Sequence, residues 1–138
     1  MKTKSLLIFF LMISVCAIAQ RKEKQFTHAD TLRGTMNAER AWWDVLRYDI
    51  TVEPNFENKS IGGNNRITYK TVIENHPLRM QIDLQEPLRI DSIILNRKNR
   101  LSFTREGNAW HVKTVKHAIN SVNEMVIFYH GMTGLRLK

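Results

Sequence analysis

Residues 80–95, Met80-Gln81-Ile82-Asp83-Leu84-Gln85-Glu86-Pro87-Leu88-Arg89-Ile90-Asp91-Ser92-Ile93-Ile94-Leu95, restrict the fold more than any other part of the chain. Met80, Ile82 and Leu84 alternate with Gln81, Asp83 and Gln85. A period of two puts the apolar set on one face of a strand and the polar set on the other. Pro87 has no N–H and a fixed φ, so a hydrogen-bonded ladder is interrupted there. Leu88 and Ile90 resume the alternation, and 93–95 form a denser apolar run. The stretch reads as strand, corner, strand, and is expected at the centre of a sheet with one buried face.

The rest of the chain follows the same grammar. Asn37 can cap a short helix over 38–44, its side-chain oxygen accepting an orphan N–H. That helix carries Trp42 and Trp43, which point about 100° apart. One is therefore expected in the core and the other over a sheet edge. Tyr48, Ile50 and Val52 alternate with Asp49 and Thr51 in a strand that stops at Pro54. A strand over 66–73 places Ile67, Tyr69 and Ile73 on one face and Arg66, Thr68 and Lys70 on the other. Gly62-Gly63 before it suggests a bulge or bend. Glu106-Gly107-Asn108 joins two strands as a hairpin, with Trp110 and Val112 on one face and His111 and Lys113 on the other. A last strand over 124–130 is closed by Gly131. Short strands separated by turn signals every 8–12 residues or so predict an all-β chain. The expected architecture is an antiparallel β-sandwich or saddle-shaped sheet with one short N-terminal helix.

The first 19 of the 138 residues read as a leader rather than as part of the domain. Lys2 and Lys4 form a positive n-region, 6–13 is an apolar core, and Ala17-Ile18-Ala19 is a small-x-small cleavage site before Gln20. The expected organisation is a signal peptide (1–19), an extended basic arm (20–36) and a β-domain (37–138). The protein would be exported, to the periplasm or beyond, with no stable membrane span after cleavage. Cys16 is the one cysteine. Val15 stands before it, where a lipoprotein signal wants a small residue, so cleavage after Ala19 is preferred to acylation. The mature chain then has no thiol nucleophile, disulfide or thiolate ligand.

The formal net charge of +8 falls to +6 once Lys2 and Lys4 leave with the leader. The excess is scattered over Arg21, Lys22, Lys24, Arg97, Lys98, Arg100, Arg136 and Lys138. A nucleic-acid binder concentrates charge on one face with aromatics interleaved, so solvated loops are the reading and no nucleic-acid partner is expected.

Motifs that carry chemistry are scarce. His28, His76, His111, His117 and His130 lack the spacing of a zinc helix, and surface or edge positions are expected for them. His28-Ala29-Asp30 could offer two ligands on one side of an extended segment, without a third. There is no Gly-x-Ser-x-Gly elbow and no glycine-rich phosphate loop. The paired acids, Asp83 with Glu86 and Asp49 with Glu53, lie on polar strand faces or in turns. Trp42, Trp43 and Trp110 suit a core better than a carbohydrate platform. Asn58-Lys59-Ser60 is a glycosylation sequon in an expected surface turn. No catalytic, cofactor-binding or metal-ligating residue is assigned.

Taken in order, these segments resemble a known family. Tyr48-Asp49-Ile50-Thr51-Val52-Glu53-Pro54 is similar to the opening strand of the N-terminal β-domain of aminopeptidase N-type zinc metallopeptidases, the gluzincin family of membrane alanyl aminopeptidase. Residues 80–95 resemble a later strand pair of that domain, and Ile127-Phe128-Tyr129-His130-Gly131 its Ile-x-Tyr-x-Gly strand. Phe26-Thr27-His28-Ala29-Asp30-Thr31-Leu32-Arg33-Gly34 and Glu39-Arg40-Ala41-Trp42-Trp43-Asp44-Val45 are similar to exported bacterial members. The resemblance implies a β-domain laid against a thermolysin-like catalytic domain. In that domain a Gly-x-Met-x-Asn segment, a His-Glu-x-x-His helix and a later Glu bind substrate and zinc. None of those motifs maps onto this chain. The resemblance therefore implies a non-catalytic fragment of an exported aminopeptidase, inactive alone. Its partner would be the missing catalytic domain, which would hold the zinc and, in the full-length enzyme, bind the peptide substrate. The alternative is a stand-alone exported β-sandwich that binds carbohydrate or protein. A fragment should leave the strand over 124–130 without a covering partner and prone to association.

Overall fold

The computed structural model describes residues 27–132; the expected leader, and the basic residues at 21–24 and 136–138, lie outside the described residues. Two short helices, α1 (His28–Gly34) and α2 (Ala38–Ala41), precede eight strands. These are β1 (Trp43–Asn55), β2 (Ser60–Thr71), β3 (Arg79–Asp83), β4 (Arg89–Leu95), β5 (Asn99–Leu101), β6 (Phe103–Glu106), β7 (Ala109–Lys113) and β8 (Val122–Met132). They form a five-stranded sheet in the order β1-β2-β8-β4-β5 and a three-stranded sheet in the order β3-β7-β6, and every pairing is antiparallel. The expected all-β class and short N-terminal helix are observed, with a second helix besides.

The corner at Pro87 does more than interrupt a ladder. β3 lies in the small sheet and β4 in the large one, so the chain changes layers there. It changes back at Ser102, between β5 and β6. The stretch expected at the centre of one sheet is thus divided between two, with β3 at an edge of the smaller.

Its alternation still builds the core. Met80 is buried and Ile82 and Leu84 pack beside it, facing Ile67, Tyr69, Ile90, Ile93, Leu95, Met125 and Ile127 from the large sheet and Trp110 and Val112 from β7. Ile90 and Ile93 are three apart yet share the buried face. A register shift between Ile90 and Ser92 inserts Asp91 and resets the phase. A second shift lies between Val45 and Arg47. No bulge occurs at Gly62-Gly63, which pair regularly with Glu53 and Val52 inside β2. The need there is for space: a Cβ on Gly63 would sit 2.1 Å from the Thr51 carbonyl oxygen and 3.2 Å from the Tyr129 hydroxyl. Tyr129 reaches across this gap and donates to Thr51 O at 3.3 Å, tying β8 to β1 over β2.

Several boundaries move. The helix expected over 38–44 ends at Ala41, because Trp42 is its C-cap and Trp43 already belongs to β1. β1 runs through Pro54, which is tolerated because β1 is an edge strand among the described residues. β2 ends at Thr71, leaving Ile73 outside it and 44% exposed. The segment expected as an extended arm contains α1, closed by a capping box in which Thr27 and Asp30 bond each other's backbone N–H groups. Lastly, β8 is no exposed edge. It pairs with β2 on one side and β4 on the other, and it continues through Gly131 to Met132.

Trp42 anchors the packing. It is fully buried, donates from Nε1 to the Arg79 carbonyl at 2.9 Å, and stacks on His76 with ring centroids 4.0 Å apart. Trp42→Ala should lower unfolding stability by about 3–5 kcal/mol, read from urea unfolding followed by far-UV circular dichroism. A loss under about 1 kcal/mol would mean the site collapses without a cavity.

Candidate functional site

A network of side-chain hydrogen bonds joins α1 and α2 to β3. Asn37 caps α2, its Oδ1 accepting from the N–H groups of Glu39 (3.0 Å) and Arg40 (3.2 Å). Its amide donates to Gln81 Oε1 at 2.6 Å. Gln81 Nε2 donates in turn to the Leu32 carbonyl at 3.0 Å and to Asp83 Oδ1 at 3.1 Å. Arg40 donates to the same Leu32 carbonyl at 2.9 Å and forms an ion pair with Asp83. Gln81 is 2% exposed, so the polar face of β3, expected toward solvent, is covered by the helices. A buried amide is stable there because each of its polar groups finds a partner.

Beside this clamp lies an open cavity of about 420 Å³ between β3 and the inner face of the large sheet. Arg40 and Asp83 form its polar wall, Trp43, Val45, Ile67 and Ile82 its apolar one, and Tyr48 and Asn65 line it from β1 and β2. Asn65 Oδ1 is buried and has no hydrogen-bond partner among the described residues, so the cavity presents an unused acceptor. Beyond it the small sheet no longer covers the large one. Tyr48, Ile50 and Val52 share the face of buried Ile67 by their pairing with Ile67, Asn65 and Gly63, yet they are 53%, 63% and 52% exposed.

The histidines are less peripheral than expected. His76 is 3% exposed; its Nδ1 lies 2.8 Å from the Pro77 carbonyl, and its Nε2 accepts the His117 backbone N–H at 3.0 Å. His117 Nε2 lies 3.3 Å from both the Tyr69 hydroxyl and Thr114 Oγ1, and its ring stacks near those of Trp42 and His76. Burial holds the Tyr69 phenol well above its ordinary value. Burial first, and the neighbouring His76 second, push His117 below its ordinary 6.5. A second group lies on the outer side of the small sheet. His111 Nδ1 is 2.6 Å from Glu39 Oε2, and Glu106 receives His28 Nε2 at 2.9 Å and His111 Nε2 at 3.8 Å. The hydrogen bond from His28 holds the Glu106 carboxyl below its ordinary value. His130, as expected, is exposed and pairs with Asp91.

The remaining candidates are dispersed. Asp83 pairs with Arg40, Glu86 with Arg105 and Asp49 with Arg47, so the paired acids do not act as pairs. Asp30, grouped with His28 in the sequence, is spent in the helix cap. Trp42 and Trp110 are buried and Trp43 packs against the core, which removes an exposed stacking platform. Asn58 lies in the exposed turn between β1 and β2, as expected. Gln81 and Asn65 are the residues that sequence pattern misses. The two successive helix caps, Thr27-x-x-Asp30 and Asn37, are the available signal that something packs over β3.

No family model matches the chain, and no curated protein matches it. Solved structures do. An M1 zinc metallopeptidase from Deinococcus radiodurans superposes with a TM-score of 0.58 at 17% identity over 71% of this chain. A two-domain M1 zinc metallopeptidase bound to L-tryptophan gives 0.57 at 16% over 72%. Leukotriene A4 hydrolase from Saccharomyces cerevisiae gives 0.56 at 15% over 88%. This is a fold found in M1 zinc metallopeptidases. The resemblance read from the strand motifs is borne out at the level of fold. The match takes up 22%, 23% and 19% of those three chains, so the present chain spans about a fifth of their length.

The described residues do not fit the zinc ion that those proteins' names imply. No group of three or more His, Cys, Asp or Glu among them is placed to hold a metal. In the set Glu39-His111-Glu106-His28, His111 Nδ1 faces the Glu39 carboxylate and the Nε2 atoms of His28 and His111 face the Glu106 carboxylate.

The His117 shift has a pH consequence. Its folded value lies below 6.5, so the unfolded chain takes up the proton first. Its contribution is complete above about pH 6.5 and is lost as pH falls through the folded value. Urea midpoints measured at pH 7.5 and pH 5 should fall more for the wild type than for His117→Asn. Equal falls would refute the assignment.

Proposed function

We propose that this chain is the non-catalytic β-scaffold of an exported zinc metallo-aminopeptidase. The observation that carries the reading is the two-sheet fold, shared with M1 zinc metallopeptidases over 71–88% of the chain. The ordered strand motifs at 48–54, 80–95 and 127–131 support it independently of the superposition. Residues 1–19 support export. The role of such a chain is mechanical. Two layers joined at Pro87 and Ser102 hold a rigid frame, with the helices fixed to β3 by the Asn37, Gln81, Asp83 and Arg40 network. The metal-activated water that cleaves an N-terminal peptide bond in such an enzyme belongs to a catalytic domain outside these residues, as does the peptide site.

The test is an aminoacyl-4-nitroanilide assay on the purified mature chain with added zinc. No turnover above a heat-treated control is expected. Zinc-dependent hydrolysis that a chelator abolishes would overturn the proposal. N-terminal sequencing of the exported product should begin at Gln20; retention of residues 1–19 would remove the export element.

A further inference from the structure

The 13-residue edge strand β1 has the character of an interface. Its inner-face side chains Tyr48, Ile50 and Val52 are apolar and more than half exposed. From Arg47 to Asn55 its pairing with β2 is regular, so its outer edge is a straight, unbulged ladder. Natural edges are usually blunted by a bulge, a short length or an inward charge. In this stretch β1 has none of these on its inner face. Pro54, which has no N–H to donate, bounds the free ladder at 47–53.

We propose that β1 pairs antiparallel with β1 of a second copy, about a two-fold axis at Ile50. The register follows from charge together with the extent of the regular ladder. With the axis at Ile50, Arg47 stands opposite the partner's Glu53, Asp49 opposite the partner's Thr51, Tyr48 opposite the partner's Val52, and Ile50 opposite itself. Every inner-face pair is then apolar, and the charged cross-strand pairs Arg47–Glu53 are both attractive. An axis at Asp49 sets two aspartates face to face, and an axis at Thr51 sets Asp49 against Glu53. An axis at Tyr48 avoids like charges but runs the pairing into the register shift between Val45 and Arg47. Glu53 has no ion pair of its own among the described residues, so it is available to a partner; Arg47 already bonds Asp49 at 2.5–2.8 Å and keeps its orientation on the same outer face. The product is a continuous sheet made of two five-stranded halves, with one self-complementary, two-fold interface. This inference is independent of the aminopeptidase reading, since it uses only the chain's own edge.

Sedimentation velocity of the mature chain over roughly 5–500 µM tests it, a span that covers weak edge-to-edge dimers. A reversible monomer–dimer equilibrium is expected. Arg47→Glu alone sets two carboxylates against each other in both cross-strand pairs, and Glu53→Arg alone sets two guanidiniums together in both. Each should raise the dimer Kd about tenfold or more, as two like-charge pairs would. In a mixture of the two variants each cross-strand pair sets a carboxylate of one chain against a guanidinium of the other, so a heterodimer near the wild-type Kd is expected, and its absence would overturn the pairing. The double variant carrying both Arg47→Glu and Glu53→Arg restores two attractive pairs, and its dimer should return to near the wild-type Kd. Circular dichroism and melting of each variant separate loss of pairing from loss of fold. A wild type that stays monomeric across the range, single variants that dimerise unchanged, or a double variant that does not recover would each overturn the proposal.

Discussion

The fold depends on β8 entering between β2 and β4. Without it the large sheet is two separate hairpins, β1-β2 and β4-β5, with nothing to close them. β8 comes last among the described strands, so two long-range pairings must form before that sheet exists. Pairings between segments this far apart close large loops, and they make folding slow compared with a local hairpin. The connection from β7 to β8 also carries His117, which ties the incoming strand to Trp42, Tyr69 and His76. Closure of the sheet and completion of the aromatic core are therefore one event.

Gly131 shows how tightly that closure meets the Pro87 corner. A Cβ there would lie 2.7 Å from the Pro87 carbonyl oxygen and 2.8 Å from the Leu88 Cα. The glycine does not end β8, as its type suggested, but lets the corner backbone lie directly on the strand. Gly63 plays a similar part on the opposite side of β8, beside the Tyr129 hydroxyl. Both glycines mark a close approach of a distant segment. Sequence pattern reports such glycines as punctuation, because the segment that fills the missing Cβ is remote in the chain.

The same limit explains what was legible and what was not. Alternation at Met80, Ile82 and Leu84 predicts a buried face, and Glu106-Gly107-Asn108 predicts a hairpin; both are local properties and both are observed. Alternation does not name the partner strand, so the change of sheet at Pro87 and the interior place of β8 are invisible to it. Nor does residue type reveal burial for a polar side chain. His76 and Gln81 read as surface residues, yet each is held inside by hydrogen bonds to a segment far away in sequence. Asn65 is the converse case. It occupies an inner-face position flanked by Ile50 and Ile127, where alternation alone would place an apolar residue.

The uncovered half of the large sheet follows from the unequal strand numbers of the two layers. Among the described residues the three strands do not cover all five, and Tyr48, Ile50 and Val52 remain more than half exposed. The exposed inner face of β1 is thus a consequence of topology and not of an irregular strand. Two contacts hold it. The Tyr129 hydroxyl fixes Thr51 from one side, and the Arg47–Asp49 pair holds the outer face. A pre-ordered edge loses little conformational freedom when another strand joins it, so most of the gain from new hydrogen bonds and apolar contact is retained. A flexible edge with the same side chains would give most of that gain back as ordering entropy. Among the described residues, the scaffold that closes around β8 therefore leaves one edge of β1 unpaired while Tyr129 and Asp49 hold its neighbouring groups in place, the two properties that edge-to-edge pairing requires.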